Sequence, residues 1–151
     1  MIKTVLFDFV NTIAFLKPFK EDILIEYCQK ENNILLSRKK VEKIYVEIDD
    51  VLPYSSVTIK TSDQKRQFYK QYNELLFDKL DISGAEKYYD FYHSVKKQWV
   101  LDESVPDLFK HLKSKGISIG IISNFDNNLE SVLESLKIKN MLDFIAISAK
   151  I

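Results

Sequence analysis

The sequence predicts an α/β protein: a parallel sheet of about three strands, interrupted after the first by an inserted helical unit. Three observations carry this. Apolar runs at residues 2–7, 117–122 and 142–148 have the length and the Val, Ile and Phe content of buried strands. The later runs alternate with helical patterns, as parallel α/β units do. Residues 18–99 show helical periodicity over a stretch too long for a single crossover.

The elements follow in order. The first run ends at Asp8, and Phe9, Val10, Asn11 and Thr12 form a turn-like break before Pro18, which suits the first turn of a helix. Four helical patterns come next. Ile23, Leu24, Tyr27 and Cys28 mark the first. Ser37 is the expected N-cap of the second, with the stripe Val41, Ile44, Tyr45, Ile48 and Val51. The third covers residues 62–80, with Phe68, Tyr72, Leu75, Leu76 and Leu80 on one face. The fourth covers 84–98, carrying Tyr88, Phe91, Tyr92 and Val95 and leading into Trp99. Residues 52–61, with Pro53 and no stripe, read as a loop. A further helix carries Val105, Leu108, Phe109 and Leu112, capped by Ser104, with Pro106 in its first turn and Gly116 closing it. Residues 124–128 are polar and turn-like, and Leu129, Val132, Leu133 and Leu136 give the last helix. The domain boundaries are thus a core of 1–17 with 100–151 and a helical insertion of 18–99. The aromatic residues of the insertion, Tyr72, Tyr88, Tyr92 and Trp99, are expected to pack on one another.

Composition narrows the function classes. Hydrophobic residues make up 46% of the chain, enough for a packed core. The 22 basic and 22 acidic residues cancel, which gives no electrostatic case for nucleic acid or an anionic membrane. The run Arg38, Lys39, Lys40 reads as the solvated start of a helix. The one cysteine, Cys28, excludes an internal disulfide and a Cys-based zinc site, and its apolar neighbours make it a buried, inert thiol. No apolar run approaches the ~20 residues of a membrane span, and no signal-peptide pattern opens the sequence, so a cytoplasmic location is expected.

Two strand tips bear chemistry. Asp8 ends the first strand, at the edge where open α/β sheets bind ligands. It either caps the following turn or acts as a nucleophile or cation ligand. Ser123 ends the second strand in the same way, beside Asn124 and Asp126. These residues either cap the next helix or form an anion site.

Taken together, the two segments resemble a known family. Val5-Leu6-Phe7-Asp8-Phe9-Val10-Asn11-Thr12-Ile13 is similar to the first motif of the haloacid dehalogenase-like (HAD) hydrolases: an apolar strand, a nucleophilic Asp, and a Thr four residues on. Ile119-Gly120-Ile121-Ile122-Ser123-Asn124-Phe125-Asp126 resembles the second motif. The resemblance implies a Rossmann-like three-layer parallel sheet, here partial, with an inserted α-helical cap that closes over the site and selects substrate. It implies that Asp8 attacks a phosphoryl group, or a carbon in the dehalogenase branch, to form a covalent intermediate. Thr12, Ser123 and Asn124 would orient the nucleophile and bind the transferring group. Mg²⁺ would be held by Asp8 and the backbone carbonyl of Val10.

The departures from the family pattern matter as much. Most phosphatases of the family carry a second Asp two residues after the nucleophile, where this chain has Val10, which transfers no proton. The family's third-motif Lys and fourth-motif acids follow the third strand, and the sequence ends at Ile151 ahead of both. Lys150 is not assigned to either role. The strand at residues 2–7 is then expected at the sheet edge, with apolar surface near Val5 and Phe7 left open for self-association. Three functions remain open: a phosphatase acting on a small phosphorylated metabolite, a dehalogenase of a small organic acid, or an inactive interaction module. Small-molecule substrate, no nucleic acid and no membrane are the expected partner classes.

Overall fold

In the computed structural model, residues 2–53, 61–125 and 128–147 are described. The chain divides into two compact units, Pro18–Lys96 and the pair Met1–Lys17 with Lys97–Ile151.

The second of these holds the sheet. Strand β1 (Thr4–Phe7) pairs in parallel with β4 (Ser118–Ser123), which pairs in parallel with β5 (Phe144–Ile147), giving the order β1-β4-β5. Among the described residues β1 is therefore an edge strand. Helices α5 (Val105–Ser114) and α6 (Leu129–Ser135) supply Phe109, Leu129 and Leu133, all fully buried with Ile119, Ile121 and Ile147. The other face behaves differently: Leu6, Ile122 and Phe144 are all exposed there. The strands are thus not buried on both faces as their composition suggests, and the open apolar residue on β1 is Leu6, while Val5 and Phe7 are half-buried. Gly120 sits between Leu6 and Phe144 in register, and a Cβ there would fall 2.1 Å from the Phe144 ring, which lies across it.

A second, antiparallel pair corrects the sequence reading. Strands β2 (Ala14–Lys17) and β3 (Gln98–Leu101) form a two-stranded sheet. The fourth helix of the insertion accordingly ends at Ser94, well before residue 98, and Trp99 lies on a strand outside the helical unit. Trp99, Val100 and Leu101 are strand formers, and their pairing with Ala14, Phe15 and Leu16 overrides the helical stripe that ran into them. Pro18 precedes the N-cap Phe19 instead of lying in the first turn of the helix.

The helical unit contains α1 (Lys20–Asn32), α2 (Arg38–Val51), α3 (Ser62–Leu80) and α4 (Ala85–Ser94). The stripes of α1 and α2 are buried together except for Val51, which is 72% exposed at the helix end. Helix α3 buries Phe77 and Asn73 besides Phe68, Tyr72, Leu76 and Leu80, while Leu75 is only half-buried. Tyr72, Tyr88 and Tyr92 share this one cluster. Ser37 caps α2 by accepting from the Lys40 N–H. Burial pushes the Cys28 thiol up to about 11, which keeps it protonated and unreactive. No described helix is long and apolar enough to cross a membrane. Most of the loop expected at 52–61 lies outside the described residues.

Helix α5 shows how local chemistry positions the sheet. Ser104 does not cap it. The Asp102 carboxylate instead fixes the turn that leads into the helix, accepting from the Ser104 N–H at 2.9 Å and the Ser104 hydroxyl at 2.6 Å. At the other end Gly116 takes φ 70°, and the Ile117 N–H reaches back to the Leu112 carbonyl, a closure that only a left-handed residue permits cheaply. The chain then enters β4. Asp143, just before β5, accepts from the Lys113 ammonium at 2.6 Å and from the Ile119 N–H at 2.7 Å. Its own N–H donates to the Ile119 carbonyl, so it ties α5, β4 and β5 together.

Lys113 and then the Ile119 N–H hold the Asp143 carboxyl below the usual carboxylate range. A depressed folded-state value adds stability above the unfolded-state pKa, about 3.9, and that stability is lost as pH falls through the folded value. Asp143→Asn is therefore expected to lower the melting temperature at pH 7. The gap from the parent chain should close in thermal melts below about pH 4.

Candidate functional site

The register of β1 and β4 builds the site. Phe7 pairs with Ile121, so the residues that follow, Asp8 on one strand and Ile122 with Ser123 on the next, emerge at the same C-terminal edge. Adjacent strands lie ~4.8 Å apart. An open cleft at this edge is lined by Asp8, Val10, Ser123 and Asn124, with Leu6, Phe7, Ile122 and Phe125 forming its apolar part. Among the described residues no Lys, Arg or His lines it.

The turn after Asp8 is wound around one carbonyl. The Phe9 oxygen accepts from the N–H groups of Thr12, Ile13 and Ala14 at 3.4, 3.2 and 3.1 Å. Asn11 supplies the left-handed step this needs, with φ 58°. The turn brings Thr12 back to the strand tip, where its hydroxyl donates to Asp8 Oδ2 at 3.2 Å. Asp8, Asn11 and Thr12 are exposed, Val10 is half-buried, and the Phe9 side chain is fully buried.

Ser123 is buried, at 4% exposure, and its Oγ accepts from the Phe125 N–H at 3.3 Å. It thus shapes the loop after β4 and does not cap α6, whose N-cap, Asn128, makes no side-chain capping bond. Asn124 is exposed at the mouth of the cleft. Asp126 and Lys150 lie outside the described residues.

Three aromatic rings underlie both loops. Phe9 lies 5.2 Å from Trp99 and 5.6 Å from Phe125, and Trp99 lies 5.4 Å from Phe125. Each ring comes from a different segment: the residue after Asp8, strand β3, and the second residue after Ser123. The tilted and edge-on angles of 48°, 88° and 64° are those favoured by ring quadrupoles. This support was not legible from periodicity, because Phe9 and Phe125 sit in turns and Trp99 follows a helical stripe.

Asp8 and the Val10 carbonyl offer two hard oxygen donors. Both residues line the cleft, and a carboxylate and a backbone carbonyl are oxygen donors of the hard kind that Mg²⁺ takes together with substrate phosphate oxygens and water. No cluster of three His, Cys, Asp or Glu side chains able to hold a metal ion occurs among the described residues.

A family model described as haloacid dehalogenase-like hydrolase matches residues 2–150. Among solved structures the chain is similar to the HAD-type protein YfnB of Bacillus subtilis, solved bound to magnesium. The TM-score is 0.57 at 16% identity, over 99% of this chain and 64% of that one. A dehalogenase structure gives 0.55 at 15% identity, over 99% and 63%. A hydrolase from Streptococcus pneumoniae TIGR4 gives 0.51 at 15%, over 96% and 66%. At these identities the likeness is one of fold. The chain spans under two thirds of the length of each of these structures. No curated protein matches it.

Truncating Phe9 tests the aromatic support. Phe9→Ala is expected to cost about 3–5 kcal/mol in urea unfolding, the usual range for a fully buried Phe. A cost under ~1 kcal/mol would show that the turn holds itself without the ring.

Proposed function

Because the chain belongs to the haloacid dehalogenase-like hydrolases, we propose that it carries the nucleophilic half of a hydrolytic site for a small phosphorylated metabolite, with Asp8 as the nucleophile. The observation that supports this most is the shared cleft of Asp8 and Ser123 at the tips of adjacent parallel strands. The Thr12 hydroxyl engages Asp8 Oδ2, which leaves Oδ1 to attack phosphorus. The new Oδ1–P bond forms as the bond from phosphorus to the leaving oxygen breaks. Water then attacks phosphorus, releases phosphate and restores the carboxylate.

Ser123 and Asn124 would bind the transferring oxygens. With no basic side chain among the described lining residues, a carboxylate facing a phosphoryl dianion needs a cation. Mg²⁺, held by Asp8 and the Val10 carbonyl, would supply that charge neutralisation.

Val10 shapes the kinetics. It offers no proton to the leaving group and no base to the water, help that is usually worth about 10²–10⁴-fold. A substrate with a good leaving group escapes the first loss but not the second, so the aspartyl phosphate should accumulate. With acetyl phosphate and Mg²⁺, mass spectrometry of the Asp8 peptide is expected to show one added phosphoryl group, absent in Asp8→Asn. Val10→Asp is expected to speed loss of that group by about 10²-fold. No adduct at Asp8 in the parent chain would refute the proposal.

Val10 also favours a second reading, hydrolysis of a carbon–halogen bond, in which halide leaves without a proton. Release of chloride from 2-chloropropionate, dependent on Asp8 and indifferent to Mg²⁺, would select it.

A further inference from the structure

We propose that the helical unit carries a binding site of its own, a cavity walled by α2, α3 and α4 that takes a small, uncharged, planar ring bearing adjacent hydrogen-bond donor and acceptor groups. The cavity measures about 180 Å³ and every residue lining it belongs to the Pro18–Lys96 unit. A cavity of roughly 150 Å³ holds a benzene ring, so the volume suits one six-membered ring with small substituents. Its walls are largely aromatic, with Tyr45, Tyr72, Tyr88 and Tyr92 among them. Such walls favour the face or edge of another ring.

The polar groups decide which ring. Asn73, on α3, lines the cavity and is only 6% exposed, and its carboxamide has no hydrogen-bond partner among the described residues. The other buried polar side chain, Ser123, has its bond. A carboxamide presents a donor and an acceptor side by side, and a ring lactam answers both with two parallel hydrogen bonds.

Charged ligands fit less well. The Lys20 ammonium already sits 4.2 Å from the Tyr45 ring centroid, the place a ligand cation would take. Both Asp49 oxygens are engaged, Oδ1 by the Tyr72 hydroxyl at 2.6 Å and Oδ2 by Lys20 at 3.5 Å. The charges of Lys20 and Asp49 cancel at the cavity wall. Burial raises the Tyr45, Tyr72 and Tyr88 hydroxyls above their usual range, so they stay neutral.

The test is calorimetric titration of the full chain with 2-pyridone, whose ring carries the cis N–H and C=O. Saturable binding at one site is expected, and tyrosine ring signals in NMR should shift while the Trp99 indole does not. N-methyl-2-pyridone, which lacks the donor, should bind at least about fivefold more weakly. Asn73→Leu, similar in shape, should weaken 2-pyridone by at least about fivefold, and Asp8→Asn should leave it unchanged. Absence of saturable 2-pyridone binding would overturn the proposal. So would benzene or tetramethylammonium binding as tightly, or an Asn73→Leu chain that binds as the parent does. If that variant fails to fold, the comparison of 2-pyridone with its N-methyl analogue on the parent chain decides.

Discussion

Phe7 stands opposite Ile121 in the parallel ladder of β1 and β4, and the placement of every candidate site residue depends on that register. A slip of one residue would turn Ile119 and Ile121 from the covered face to the open one and would separate the two strand tips. The register is held by the burial of Ile119 and Ile121 against Phe109, Leu129 and Leu133. Asp143 reinforces it from the other side, closing the β4–β5 ladder with both its backbone and its carboxylate. Core packing and site geometry are therefore one problem in this sheet.

A second layer of control lies just beyond the strand ends. The turn at Phe9 and the loop at Phe125 each bring polar groups to the cleft while sending a ring downward to Trp99. One residue thus does two tasks in each loop. The Phe9 carbonyl gathers three N–H groups, and its ring anchors the turn that presents Thr12 to Asp8. Among the described residues no basic side chain lines the cleft, so an aspartyl nucleophile here would depend on a bound cation to meet an anionic substrate.

Much of this was legible in the sequence. The three strands, the helical insertion and the two tips at Asp8 and Ser123 follow from apolar run length and from where polar residues interrupt it. The β2–β3 pair was not legible, because four-residue strands next to a turn and a helix leave too short a pattern, and Trp99 extends the stripe of Tyr88, Phe91 and Tyr92. The open apolar surface expected on β1 near Val5 and Phe7 falls on Leu6 for a different reason. The strand's apolar composition matches a strand covered on both faces, yet Leu6 remains exposed, since composition reports what a strand can bury and not which partners the described residues provide. Asn73 was invisible for the opposite reason: a polar residue inside an apolar helical face carries no periodic signal.

The proposal that Asp8 and Ser123 act on one transferring group stands or falls on ¹⁹F NMR of the chain with Mg²⁺ and beryllofluoride, which adds to an aspartyl carboxylate as a phosphoryl mimic. A bound resonance that vanishes in Asp8→Asn and weakens in Ser123→Ala is the predicted result. A resonance that Ser123→Ala leaves unchanged, or no bound resonance in the parent chain, would contradict it.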